Sequence, residues 1–78
     1  MDRAESIVAA LGGADNIREI EACATRLRTE VDDPAKVDEP ALKAARGVYG
    51  VMRRGGVVQV VVGPEADTIA ADIEDLLA

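Results

Sequence analysis

"TRLRTEV", residues 25 to 31, is the stretch on which the fold turns. Leu27, Thr29 and Val31 share one parity, while Arg26, Arg28 and Glu30 share the other. Successive side chains of a strand point to opposite faces, so this segment predicts a half-buried strand with its arginines on one face.

Upstream, "ADNIREIEA" leads into an extended segment, although its alternation is poor. Before it, "DRAESIVAALGG" predicts a helix: Ala4, Ile7, Val8 and Leu11 form one apolar stripe, and Gly12 and Gly13 supply the stop. Downstream, "DDPAK" reads as a turn, because Asp and Pro favour turn geometry. "VDEPALKAAR" predicts a short helix with Asp38 as N-cap and Pro40 in the first turn, where a missing N–H costs little. "GVYGVM" then reads as a strand opened by Gly47, and "RRGG" as a hairpin turn. "VVQVVVG" is the most β-prone stretch of the chain. Pro64 starts a last helix, "PEADTIAADIEDLLA", with Ile69, Ile73, Leu76 and Leu77 as its apolar stripe.

The resulting order is α-β-β-α-β-β-α, with no linker or repeat. Two hairpins with helices between them imply an α+β fold: a four-stranded, mostly antiparallel sheet with helices packed on one face. Residues 1–78 are expected to form one domain. The open face is expected to carry Arg26, Arg28 and Gln59, and the parity of Gln59 sends Val57 and Val61 outward beside it.

Composition narrows the function classes. Of the 78 residues, 49% are hydrophobic, yet Tyr49 is the only aromatic, so the core must be aliphatic. The net charge of −6 argues against nucleic acid as a partner, which would need a basic face. No run approaches the roughly 18 apolar residues of a membrane span, and the N-terminus lacks the pattern of a signal peptide. A cytoplasmic location is expected. One cysteine cannot form an internal disulfide, and with no histidine a zinc site or His-based catalysis within the chain is not expected.

That cysteine, Cys23 in "IEACATRLR", falls at the predicted turn between the first two strands. Two readings stand. In one, Cys23 is a small buried core residue of a non-catalytic binding module. In the other, the positive charge of Arg26 and Arg28 beside Cys23 favours a reactive thiolate, and backbone N–H groups of the turn make an anion site. A redox role would want a second cysteine. A cysteine phosphatase needs Cys-x5-Arg, whereas Arg26 and Arg28 fall three and five residues after Cys23. Phosphoryl relay through sulfur is the third option, and a small phosphatase, though disfavoured by the arginine spacing, stays open.

"ACATRLR" resembles the IIB domain of the bacterial phosphoenolpyruvate-dependent sugar phosphotransferase system, whose glucose and N-acetylglucosamine branch shares a C-x-T-R-L-R pattern. "IVAALGGADNI" is similar to that family's first helix and its entry to the sheet. "DDPAKVD" resembles the lead into its second helix, and "VVQVVVG", with Gln59 and Gly63, its VQ-x-x-x-G strand. The chain departs from the family in carrying Glu21 where many relatives have Asp, and "YGVMRRGG" does not match closely. Arg53 and Arg54 there read as a solvated turn rather than a phosphate contact.

The resemblance implies a phosphocarrier enzyme. Cys23 would accept a phosphoryl group from a phosphohistidine on a IIA partner and pass it to a glucose-class or N-acetylglucosamine-class sugar held by a membrane IIC component. Arg26, Arg28, Thr25 and the Ala24 backbone would bind the phosphoryl group, with Glu21 and Gln59 behind them. No cofactor or metal is implied, and a stand-alone monomer docking transiently at the membrane is expected.

Overall fold

The computed structural model describes residues 1–78 and has the element order expected from the sequence. Helix α1 spans Arg3–Ala10. Asp2 opens it with a capping box, its carboxylate accepting the Glu5 N–H at 2.9 Å while the Glu5 carboxylate accepts the Asp2 N–H at 3.0 Å. The helix stops at Gly12 and Gly13, where φ of +106° and +94° suits residues without a Cβ. Strands β1 (Ile17–Cys23) and β2 (Arg26–Val31) follow. A turn at Pro34–Lys36, capped by Asp33, leads to α2 (Glu39–Ala44), capped by Asp38. Strands β3 (Gly50–Arg54) and β4 (Val57–Val61) precede α3 (Ala66–Leu77).

The sheet order is β1-β2-β4-β3, and every neighbouring pair is antiparallel. The helices cover one face. There Ile20, Leu27, Thr29, Val58 and Val60 of the sheet meet Ile7 and Leu11 beside α1, Leu42 of α2, and Ile69 and Ile73 of α3. Burying a Leu or Ile side chain contributes about 1.5–3 kcal/mol, so a chain with one aromatic is held by many aliphatic contacts of that size. Thr29 joins this apolar layer by donating its hydroxyl to the Val58 carbonyl at 2.6 Å. Asn16, also buried, ties the end of α1 to the exit of β2. Its side chain donates to the carbonyls of Leu11 at 2.7 Å and Asp33 at 3.1 Å and accepts the Asp33 N–H at 2.9 Å.

The poor alternation of "ADNIREIEA" has a structural cause. The β1–β2 register shifts between Ile17 and Glu19, a bulge that lets both Ile17 and Ile20 face the core three positions apart. Four expectations need correction. The strand read from Gly47 begins at Gly50 instead, because Gly47 has φ +87° and the Val48 N–H turns back to the Ala45 carbonyl at 3.2 Å. "RRGG" is not all turn: Arg53 and Arg54 finish β3, and the loop is Gly55–Gly56 alone. Arg53 is solvent-exposed as expected but belongs to the strand, not to a turn. It donates to the Pro34 carbonyl at 2.7 Å and lies 3.7 Å from Glu39, strapping the edge strand to α2. Leu76 lies outside the buried stripe of α3 and is 43% exposed.

Candidate functional site

Cys23 is the last residue of β1, faces Arg26 across the ladder and is exposed. The buried-core reading of the thiol is thereby removed. The two strands are joined by Ala24 and Thr25 alone, and Ala24 sits at φ +55°. Short hairpin loops need positive φ to match the strand twist. A side chain with a Cβ pays about 1–2 kcal/mol for that conformation.

The turn is anchored from behind. The Thr25 carbonyl accepts the N–H of Val62 at 2.9 Å and of Gly63 at 3.0 Å, where β4 runs out toward α3. Gly63 has φ +78°, and a Cβ on it would stand 3.0 Å from Tyr49 Cε2. The Tyr49 ring therefore lies over Gly63, while its N–H donates to the Val61 carbonyl at 2.8 Å. Turn, glycine and the chain's one aromatic are thus tied together at this end of the sheet.

The open face reads as three rows of four across β1, β2, β4 and β3. The row nearest the turn is Cys23, Arg26, Val61 and Gly50. The next is Glu21, Arg28, Gln59 and Met52, and the last is Glu19, Glu30, Val57 and Arg54. Arg26, Arg28 and Gln59 thus share the face of Cys23 as expected, and Val57 and Val61 do face outward, half-buried. Thr25 and Ala24 lie at the tip, exposed, and Glu21 stands directly across from Arg28.

The guanidinium groups rest on their neighbours rather than on the thiol. Arg26 Nη1 donates to Gln59 Oε1 at 3.1 Å and lies 3.7 Å from Met52 Sδ. Arg28 Nη1 reaches Glu30 Oε2 at 3.5 Å. Glu30 in turn faces Glu19, whose carboxyl is pushed above the ordinary carboxylate range, chiefly by a hydrogen bond with Glu30 and then by the charge of Glu30. Sequence reading passed over Glu30, Glu19 and Met52. Glu30 was visible as the next residue of the arginine parity; Met52 required the strand order.

The surface is open around Cys23. The one groove of note, about 450 Å³ lined by Ala9, Ala41, Ala44 and Ala45 among others, lies between α1 and α2 on the helix side of the sheet. A thiol that meets its partners by surface docking needs no pocket of its own. No helix is long and apolar enough to cross a membrane.

Comparison with known proteins gives concordant matches. A family model described as phosphotransferase system, EIIB, matches residues 5–38, the span from α1 through the Cys23 hairpin to the entry of α2. A PTS system N-acetylglucosamine-specific EIIB component from Streptomyces coelicolor is 64% identical over 75 residues, covering 96% of each chain. The crystal structure of one domain of the PTS system IIabc component from Clostridium difficile superposes with a TM-score of 0.82 at 26% identity, covering 97% of this chain and 79% of that one.

Proposed function

Because the chain belongs to the EIIB family of the phosphotransferase system, with a phosphotransfer role in sugar uptake, we propose that Cys23 is its phosphoryl carrier and N-acetylglucosamine its sugar. The observation that carries this reading is the exposed thiol at an anchored two-residue turn, on the same sheet face as Arg26 and Arg28. The sugar follows from the similarity to the N-acetylglucosamine-specific component.

Two displacements make up the cycle. Cys23 Sγ, as thiolate, attacks the phosphorus of a phosphohistidine on a IIA partner. The S–P bond forms as the N–P bond breaks, and the electron pair remains on the imidazole nitrogen. Later a sugar hydroxyl on a membrane IIC component attacks the same phosphorus. An O–P bond forms, the S–P bond breaks, the thiolate is restored, and the hydroxyl proton goes to a base of that component. This chain has no histidine to take it.

Phosphoryl transfer asks the protein mainly for positioning and charge stabilisation. A bound phosphoryl group carries roughly −2 charge. Arg26 and Arg28 would swing from Gln59 and Glu30 toward it, with the Thr25 hydroxyl and the Ala24 N–H completing the cradle. Gln59, which accepts from Arg26, and Glu21, across the ladder from Arg28, stand behind the two arginines on the open face. Residues 1–78 act as one IIB unit, a cytoplasmic monomer that meets IIA and IIC in turn through this face. Val57 and Val61 contribute apolar contact there.

The test is intact mass after mixing the protein with phosphoenolpyruvate, the general phosphotransferase proteins and a IIA of the glucose type. One added phosphoryl group is expected on the wild type and none on Cys23→Ser. Uptake that survives in Cys23→Ser would move the carrier role elsewhere.

A further inference from the structure

The phosphoryl reading leaves one feature of the open face unused. Its third row opposes two carboxylates, Glu19 and Glu30, directly across the β1–β2 ladder. Like charges in that position repel, so the pair weakens the sheet. What it touches is Arg28. The guanidinium extends toward Glu30, two residues further along β2, which is the direction away from the Cys23 row.

The charges on this face balance before any phosphoryl group arrives. Arg26, Arg28 and Arg54 stand against Glu19, Glu21 and Glu30. The residue of β4 nearest Glu30 is Val57, which contributes no charge. Arg28, in contact with it, and Glu19, directly across the ladder, are the charged groups nearest Glu30, with Glu21 one row away beside Arg28. Arg26, in contrast, rests on a neutral amide and a thioether. The two arginines thus start from different states. Arg26 is free of any carboxylate partner, and Arg28 is held by one.

We infer that Glu30, backed by Glu19, is a positioning residue for Arg28: its carboxylate competes with the phosphoryl group for the guanidinium and so keeps the phosphocysteine easy to give away. The inference rests on the phosphocarrier reading for its purpose, although not for its geometry. A carrier must hold its cargo less tightly than its acceptor does. With Arg28 partitioned between Glu30 and the phosphoryl group, the second arginine contributes only the difference between the two pairings. An exposed ion pair of this kind contributes about 0.2–1 kcal/mol, which bounds the effect at roughly 1.4- to five-fold.

The test uses Glu30→Gln, which also removes the repulsion with Glu19 and so is expected to fold. Its first arm needs no partner protein. Inorganic phosphate is titrated into the isotope-labelled chain, and the Arg28 side-chain and Cys23 backbone NMR signals are followed. Glu30→Gln is expected to bind phosphate about three-fold more tightly than wild type. In an Arg28→Ala background the same change is expected to do nothing, a coupling that a merely structural role would not produce. The second arm measures phosphoryl exchange with phosphorylated IIA. The equilibrium should shift about three-fold toward phospho-Cys23 in Glu30→Gln, with slower onward transfer, and Glu30→Asp should lie nearer to wild type.

Equal phosphate affinities in folded wild type and Glu30→Gln would overturn the inference. So would a gain in affinity that persists without Arg28. If phosphate binding behaves as expected while neither protein accepts a phosphoryl group from IIA, the phosphocarrier reading falls and the competition between Glu30 and an anion for Arg28 stands.

Discussion

The sheet has two hairpins closed by two-residue loops, and they lie at opposite ends of it. Cys23 and Arg26 flank Ala24–Thr25, while Arg54 and Val57 flank Gly55–Gly56. The backbone makes nearly the same demand at each, φ +55° at Ala24 and +59° at Gly55. At one end a glycine meets it without steric penalty. At the other a residue with a Cβ meets it beside the thiol, with its carbonyl neighbour Thr25 bound twice by the chain behind. Equivalent geometry is thus relaxed at the structural end and strained at the chemical end. Strain persists only where the surroundings over-determine it, and the Thr25 anchor is what does so here.

The difference between the ends can be tested in descending order of effect. Each loop has an open-face arginine beside it, Arg26 after the first and Arg54 before the second. Arg26→Ala is expected to slow phosphoryl uptake about 100-fold, the scale of losing one preorganised charge donor. Arg54→Ala should leave the rate within about two-fold, since it stands two rows away from Cys23 and exposed charges at that range are screened. Single-turnover rates from phosphorylated IIA would show it, and equal losses would break the comparison.

Next in size is the backbone itself. Gly55→Ala is expected to destabilise the chain by about 1 kcal/mol in urea unfolding. Nothing lies within 4 Å of the added Cβ, so the left-handed conformation alone is being measured. Ala24→Gly should do the reverse and stabilise by about 0.5 kcal/mol, the relief being partly offset by the greater freedom of glycine when unfolded. It is also expected to slow phosphoryl uptake a few-fold, because a looser turn holds the thiol less well oriented. An unchanged rate would mean that the strain at Ala24 has no part in positioning Cys23.

Smallest is the acid dependence of the open face. Glu19 has its pKa raised in the folded chain by the hydrogen bond with Glu30 and by its charge. An acid with a raised folded pKa contributes stability that is full below its unfolded pKa and lost as pH rises through the folded one. Glu19→Gln should therefore be more stable than wild type at neutral pH, with the gap closing as pH falls into the carboxylate range. Glu65 works in the opposite sense. The hydrogen bond from Arg3, then its charge, lowers the Glu65 pKa, and that stability is lost as pH falls. Urea midpoints of Glu19→Gln and wild type across this range would separate the two slopes.

How much was legible in advance follows from how local each signal is. The arginine parity of β2, the stripe of α1 and the Asp38 cap were all readable, because each depends on residues within one turn or strand. The start of β3 was misplaced because a glycine can begin a strand or break one, and φ +87° at Gly47 is invisible in a one-letter code. The bulge in β1 hid a true strand for a similar reason: one extra residue reverses the parity on which strand recognition depends.

What the sequence by itself determined is the element order, the face of β2 that carries its arginines, and the position of the single thiol at a turn. All three follow from periodicity and from short-range turn chemistry. The tertiary structure alone decided that β4 lies beside β2. Strand order depends on how the crossover through α2 packs, and no local pattern encodes it. That one placement puts Gln59 and Met52 under Arg26 and lets Val62 and Gly63 clamp the Thr25 carbonyl. The setting of Cys23 is therefore assembled from chain segments 26 or more residues apart, where only packing can bring them together.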